Sequence, residues 1–401
     1  MSKWKETELQ EVAEVQTGPF GSQLKNEQYV TGGTPVITVE HVKDFKIIDF
    51  DYPSITENDR NRLSKYLLKS GDIVFTRVGS VDLSAYVKEH QEGWMFSSRM
   101  LRVRPNLEAV NSRFLSYYFQ QKSFRDYILN ISVGATMPSI NTEILKEIPI
   151  TFPCLQIQSA IASVLSSLDD KIDLLHRQNA TLAKIAETLF RQWFVEEGKD
   201  EWEMGKITDY AIHFKDSIHP QQNQAALYSH YSIPAFDNGK NPINELGQEI
   251  QSNKYKVPKN CILFSKLNPH KEKRLWLLQN EVGKNSICST EFLIVLPKRK
   301  EHLYFLYEWL SLKENYNEIA SGVGGTSGSH QRIAPNTIYD FQCPLVAMSL
   351  IENFNTQIEP LFQKQLSNQT QIRTLTASRE TLLPKLMSGE VRVEQFKLLI
   401  F

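Results

Sequence analysis

The sequence predicts an α+β protein in which two pseudo-symmetric globular domains are separated by two long helices forming an antiparallel coiled coil. Three observations predict it. The chain is written twice, each copy mixes short buried strands with aromatic-rich helices, and each copy ends in a long run of apolar residues spaced by threes and fours. The expected boundaries are 1–153 for the first globular domain, 154–198 for a central helical spacer, 199–344 for the second globular domain, and 345–401 for a C-terminal helical spacer and tail.

The first copy's "KYLLKSGDIVFTRV" (65–78) returns as "KYKVPKNCILFSKL" (254–267). Both read as a turn, a short buried strand and one basic residue, Arg77 or Lys266. "SSRMLRVRP" (97–105) returns as "STEFLIVLP" (289–297), an alternating strand closed by proline. The next segments, "SRFLSYYFQQ" and "LYFLYEWLSL", have the pattern of amphipathic helices. Each leads to a glycine-bearing polar loop, "SVGATMPSIN" or "SGVGGTSGSHQRIA".

The match is tightest at the end of each copy, where an offset of 193 carries Leu168 to Leu361, Gln178 to Gln371, Leu182 to Leu375 and Leu189 to Leu382. In the first copy a seam of Ile161, Val164, Leu168, Ile172, Leu175, Leu182, Ala186, Leu189 and Trp193 predicts a helix over roughly 157–195, with Asn179 at a polar seam position and one stutter. Such a helix spans about 58 Å at ~1.5 Å per residue. Its twin carries Phe354, Ile358, Leu361, Ile372, Leu375, Leu382 and Leu386, with Gln365, Asn368 and Arg379 interrupting the seam. Pro360 is expected to kink or restart this helix, and Pro384 with Gly389 to end it. The helix and subunit interface is assigned to Leu168, Leu175, Leu182, Leu189, Trp193, Leu361, Leu375, Leu382 and Leu386.

With 401 residues and 41% hydrophobic content the chain has material for two cores. Cys154, Cys261, Cys288 and Cys343 lie far apart with no C-x-x-C pair, which argues against a zinc knuckle or disulfide framework and for a reducing cytoplasm. The start is polar, and no run approaches the roughly 18 apolar residues of a membrane span, so a soluble chain without a membrane partner is expected. A net charge of −1 neither favours nor excludes nucleic acid.

No catalytic constellation is present. The sequence lacks a Walker loop, an H-E-x-x-H pair, a G-x-S-x-G elbow, and the Asn/Asp-Pro-Pro-aromatic motif that holds a flipped adenine for methylation. "SGVGGTSGSH" misses a dinucleotide fingerprint at Ser327, and Asp169 and Asp170 read as a solvated helix face. No catalytic, metal-binding or cofactor-binding residue is therefore assigned. The opening loop "TGPFGSQLK" (17–25) could cradle a phosphate, a cofactor or a DNA backbone. Its counterpart "HFKDSIHP" (213–220) loses the glycines, which suits two heads reading different sequences better than a duplicated cofactor site. A twofold-like chain with two heads also suits duplex DNA. Two rivals remain: an adenine methyltransferase with its own recognition domain, and a coiled-coil scaffold with no DNA role.

The tandem organisation, "GPFGSQLK", "GDIVFTRVG", "LAKIAETLFRQWFVE" and "LLPKLMSGEV" together resemble the specificity (S) subunit of type I restriction–modification systems over nearly the whole chain. The resemblance implies two target-recognition domains, each reading half of a bipartite site in double-stranded DNA, and helices that set the spacer and dock two methyltransferase (M) subunits. It further implies a non-catalytic chain, with S-adenosylmethionine, Mg and ATP on partner subunits. Restriction (R) subunits join in the full complex, which would be a DNA adenine methyltransferase and ATP-dependent endonuclease.

Residues shared between copies should hold fold or phosphate, and residues that differ in matched loops are candidates for base reading. The candidates are Ser22, Gln23, Lys25, Arg77, Arg99, Thr136, Ser139 and Asn141 in the first head. In the second they are Lys266, Lys271, Lys273, Arg274, Ser329, His330 and Arg332, within or near a basic strip over 254–274. The first head also offers Arg60, Arg62, Lys65, Lys69, Arg102 and Arg104. Arg99 faces Glu291 at the matched position, a pair suited to guanine and to the cytosine amino group respectively.

Overall fold

The computed structural model describes residues 4–48, 51–134, 136–196, 202–280, 282–324 and 331–393. Two compact units divide the chain, Met1–Leu175 with Thr370–Phe401, and His176–Gln369. Each is built from a mixed head and parts of both long helices.

In the first unit β1 (Lys5–Glu8), β2 (Ala13–Thr17), β3 (Ile73–Thr76), β4 (Ser84–Tyr86) and β5 (Met100–Pro105) precede α1 (Ser112–Gln120), α2 (Lys122–Ile131) and α3 (Thr142–Lys146). Then come β6 (Pro149–Phe152) and α4 (Leu155–Arg191). The central sheet is antiparallel in the order β2-β5-β3-β4, with Val103 opposite Val15 and Leu101 opposite Phe75. All four side chains of β3, Ile-Val-Phe-Thr, are buried, because helices cover one face and a second small sheet lies near the other. Gly71, at φ +91°, supplies the turn before it. Asp72, next in the chain, is 1% exposed and takes both arms of Arg104 at 2.7 and 2.8 Å.

The second unit repeats this plan with β7 (Met204–Lys206), β8 (Ala211–Phe214), β9 (Cys261–Ser265), β10 (Leu275–Leu278) and β11 (Phe292–Pro297). These are followed by α5 (His302–Ser311), α6 (Lys313–Ser321), α7 (Pro335–Tyr339), β12 (Gln342–Pro344) and α8 (Met348–Met387). Its sheet order, β8-β11-β9-β10, is the order of the first head. In each head the opening strand also pairs antiparallel with the strand just before the long helix, Lys5 with Phe152 and Met204 with Pro344. The repeat read from the sequence is a repeat of topology.

The first long helix is α4, 37 residues and about 55 Å, and a π-helical turn over Gln192–Glu196 follows it. The second, α8, runs 40 residues. It passes through Pro360 without a break, so the helix does not restart there. Pro360 is exposed while Ile358 and Phe362 on either side are buried, so packing outweighs the roughly 3 kcal/mol a helical proline costs. The helix ends at Met387, two residues before Gly389, whose φ is +74°.

Within the first unit α4 and α8 run antiparallel. Ile172 and Leu175 cluster with Ile372 and Leu375, Asp169 pairs with Arg379, and Ile161, Val164 and Leu165 share a core with Leu383, Leu386 and Met387. Asp169 is thus not on a solvated face. Within the second unit Asn368 donates to Asn179 at 2.9 Å, and Phe190 and Phe194 pack on Phe354. Leu175 and Leu386 are buried as expected, while Leu168, Leu182, Leu189, Trp193, Leu361, Leu375 and Leu382 are only half-buried. The fully buried positions at the end of α4 and in the turn that follows it are Ala186, Phe190 and Phe194, because this stretch turns a wider face toward the head's own aromatic core than a two-helix seam requires.

Candidate nucleic-acid interface

The opening loop begins with a glycine that chemistry demands. A Cβ on Gly18 would lie 2.1 Å from the Ser97 carbonyl oxygen, so only glycine lets the loop close onto the turn before β5. The Phe20 carbonyl then accepts from Gln23 and Leu24 at 2.7 and 3.0 Å, and this turn leaves the Phe20 ring 50% exposed. Gly21 faces open space.

Beside it lies an open cleft of about 500 Å³, whose lining includes Phe20, Arg77, Ser98, Arg99, Ser139 and Asn141. The frame is made of backbone. Arg77 donates its N–H to the Arg99 carbonyl at 2.8 Å and accepts from the Ile140 N–H at 3.0 Å, which ties the strand end, the turn before β5 and the glycine loop together. Ser139 donates to the Val133 carbonyl at 3.1 Å and closes that loop. Asn141 caps α3 by accepting from the Ile144 N–H at 2.8 Å. Among the described residues neither Arg77 nor Arg99 has an ion-pair partner, and Arg99 is exposed.

The second head has the same frame. Lys266 donates its N–H to the Glu291 carbonyl at 2.9 Å and accepts from the Ile333 N–H at 3.1 Å. These bonds equate Arg77 with Lys266, Arg99 with Glu291, and Ser139 with Arg332. The side chains on the frame differ. Glu291 holds Arg332 through two parallel bonds of 2.9 Å, Nε to Oε2 and Nη2 to Oε1, which raises the guanidinium pKa further. Glu291 is therefore not free to accept from a cytosine. His213, stacked on Tyr339 at 4.8 Å between ring centroids, has its imidazole pKa lowered by burial and by the charges of Lys215 and Lys266.

Several predicted contacts lie elsewhere. Ser22 and Lys25 are exposed but do not line the cleft, and Thr136 is exposed on the loop tip. Gln23 accepts from the Tyr66 hydroxyl at 2.7 Å, a bond within the head. The basic strip of 254–274 is largely spent inside its unit. Lys254 is buried and bonded to Ser252, Lys256 pairs with Asp216, Lys273 donates to the Ser311 carbonyl, and Arg274 is held by Asp237 and Glu272. Lys266 and Lys271 keep ammonium groups outside any ion pair among the described residues. In the first head Arg62 pairs with Asp59, and Arg102, 1% exposed, reaches Glu14 and the Lys65 carbonyl. Arg102 and Arg104 serve the fold. Ser329 and His330 lie outside the described residues.

Phe20 was not among the predicted contacts, although an aromatic between two glycines in a polar loop is a signal for one. Among the described residues no group of three metal-ligating side chains is present, and no helix is long and apolar enough to cross a membrane.

Residues 1–184 match the family model described as type I restriction modification DNA specificity domain. The chain is 27% identical to the type I restriction enzyme MjaIX specificity subunit of Methanocaldococcus jannaschii, over 98% of this chain and 94% of that protein. It is 22% identical to the type I restriction enzyme HindI specificity subunit of Haemophilus influenzae, over 82% of this chain and 88% of that one. Its fold is similar to the crystal structure of a type I restriction–modification S subunit from M. genitalium, with a TM-score of 0.61 at 15% identity and 96% of each chain covered.

Proposed function

We infer the function from one premise, that the chain belongs to the type I restriction–modification specificity-subunit family. It is the DNA sequence-recognition subunit of such a complex, and as a specificity subunit it is non-catalytic. DNA and the methyltransferase and restriction subunits are its partners. In the finer reading each head reads one half of a bipartite site. α4 and α8 act as the antiparallel spacer that sets the distance between half-sites, and they dock two M subunits. S-adenosylmethionine, Mg and ATP belong on the partner subunits in this reading.

The observation that carries the finer reading is the twice-built frame. The same hydrogen bonds hold Arg77, Arg99 and Ser139 in one head and Lys266, Glu291 and Arg332 in the other, so the scaffold is constant and the tips differ. Phosphate contacts position and base contacts specify, and a constant frame with variable tips matches that division.

Exchanging residues 1–153 for the equivalent head of a relative, then sequencing the methylated sites of a host that carries the chain with its M partner, tests it. One half of the motif changes and the other stays. A change in both halves would show that the heads are not independent readers. Methyl transfer by the purified chain alone would overturn the non-catalytic assignment.

A further inference from the structure

We propose that Arg332, held in place by Glu291, reads a guanine in the second half-site, and that Glu291 is the positioning residue that aims it. The inference rests on the chain being a DNA-reading subunit and adds the base class and the residue.

The geometry is specific. A guanidinium has five N–H donors in a rigid plane. Glu291 takes the side edge, through Nε and Nη2, with both of its oxygens. Three N–H groups remain, and two of them, one on each terminal nitrogen, form the end edge that matches O6 and N7 of guanine in the major groove. The Arg332 side chain is 45% exposed and that of Glu291 25%, so the carboxylate lies behind and the arginine in front. A long side chain fixed at its Nε loses less rotamer freedom when it meets a base than a free one.

The backbone fixes the same direction. The Ile333 N–H is bound to the Lys266 carbonyl, Leu267 and Arg332 form a β-bridge, and the Asn268 N–H is bound to the Gln331 carbonyl at 2.8 Å. The segment 331–333 is thus sewn to the strand end carrying Lys266. In the first head the corresponding residues are Ser139 and Arg99, and the arginine sits across the frame with no carboxylate paired to it among the described residues. The two heads therefore present an arginine from opposite sides of one scaffold. A phosphate contact would also use an arginine, but a carboxylate held against it would weaken attraction to an anion. Aiming at a neutral base edge carries no such cost.

The experiment uses the assembled methyltransferase complex. Binding is measured to a duplex bearing the complex's own methylated motif and to duplexes with each base pair of the second half-site changed in turn. The Arg332→Ala complex should lose roughly 5- to 150-fold of discrimination at a single guanine-containing position and keep its preferences in the first half-site. Arg332→Lys, which keeps the charge, should lose discrimination at the same position. Glu291→Gln should bind the motif but discriminate less there, with other positions unchanged. The proposal is overturned if Arg332→Ala weakens all duplexes equally and lowers the salt slope by about one, the mark of a phosphate contact. It is equally overturned if the second half-site contains no guanine on either strand. A wild-type complex with no sequence preference would instead overturn the functional reading itself.

Discussion

Arg379 interrupts the apolar pattern of the second long helix, and the structure supplies its reason. Its Nε lies 2.7 Å from Asp169 Oδ1, both side chains being 17% exposed. The approach is short but poorly aligned for a hydrogen bond, so the contact is an ion pair. The Tyr117 hydroxyl donates to Asp169 Oδ2 at 2.6 Å, and Arg379 also donates to Gln120. One network thus joins α4, α8 and α1 inside the first unit. Removing one partner of a fully buried pair costs about 3–5 kcal/mol because the other charge is stranded, and the residual exposure here lowers that to roughly 2–4 kcal/mol for Arg379→Ala. Replacing both charges together, as Asp169→Leu with Arg379→Met, should be nearly neutral, so the coupling energy equals the summed cost of the two single changes and is at least about 2 kcal/mol. The assay is denaturant-dependent hydrogen exchange of the amides of residues 155–175 in the four proteins of the cycle. If the single changes cost under ~0.5 kcal/mol and add within ~0.5 kcal/mol, the pair does not fix the register of these helices in the unit, and the reasoning fails.

Asp173 accepts from Lys46 at 2.5 Å and Lys88 at 2.9 Å, so the hairpin of Val42–Lys43 and Lys46–Ile47 is clamped to α4. Burial alone would raise its carboxyl, but the two lysines hold it below the usual range, so the clamp stabilises above about pH 4 and is lost as pH falls through the depressed value. Asp173→Asn should cost about 0.5–1 kcal/mol at pH 7, a difference that shrinks in acid unfolding curves as pH falls below about 4. Burial pushes the Glu308 carboxyl up to about 8, with Lys273 opposing part of it, so the folded head keeps a proton that the unfolded chain gives up. Stability should therefore fall as pH rises from about 4.5 to 8, with a slope of up to about 1.4 kcal/mol per pH unit, and Glu308→Gln should flatten thermal stability over that window. Lys266→Ala should weaken binding of the assembled complex to all duplexes and lower the salt slope by about one; a relaxed base preference with an unchanged slope would make Lys266 a base reader. Four residues added after Thr181 and four at the facing point of α8 lengthen the helices by about 6 Å, so methylome sequencing should find the unread spacer longer by one base pair or two, and an unchanged spacer with full activity would sink the ruler.

The repeated sheets were legible because their signals are local. A run of three apolar residues after a glycine turn, closed by a threonine as at Ile73–Thr76, has few alternatives to a buried strand, and its echo at Cys261–Ser265 doubled the signal. Asn179 and Asn368 were both recognisable as polar breaks in apolar seams, and they bond to each other. The burial of Phe190 and Phe194 was less legible, because it depends on the aromatic cluster of Phe305 and Phe354 that only the tertiary fold assembles. The continuity of α8 through Pro360 was not legible for the same reason. Propensity is a local cost, and the packing of Ile358 and Phe362 that overrides it is not written beside the proline.

Charge shows the limit most sharply. Counting cations along 254–274 suggested a DNA-facing strip, yet Arg274 is held by Asp237, 37 residues away in sequence, and Lys256 by Asp216. Whether a lysine or arginine is available to a ligand depends on which carboxylates the fold brings to it, and that pairing leaves no local trace. The comparison of matched positions carried further than the count did. Arg99 and Glu291 do occupy matched positions on the frame, but their surroundings differ, because Glu291 holds Arg332 and Arg332 had not been set opposite it. Only the bonds from Ile140 to Arg77 and from Ile333 to Lys266 align Ser139 with Arg332. Once they do, the carboxylate in the second head ceases to be a reader and becomes the support for one, and the two heads differ by which side of a common scaffold presents the arginine.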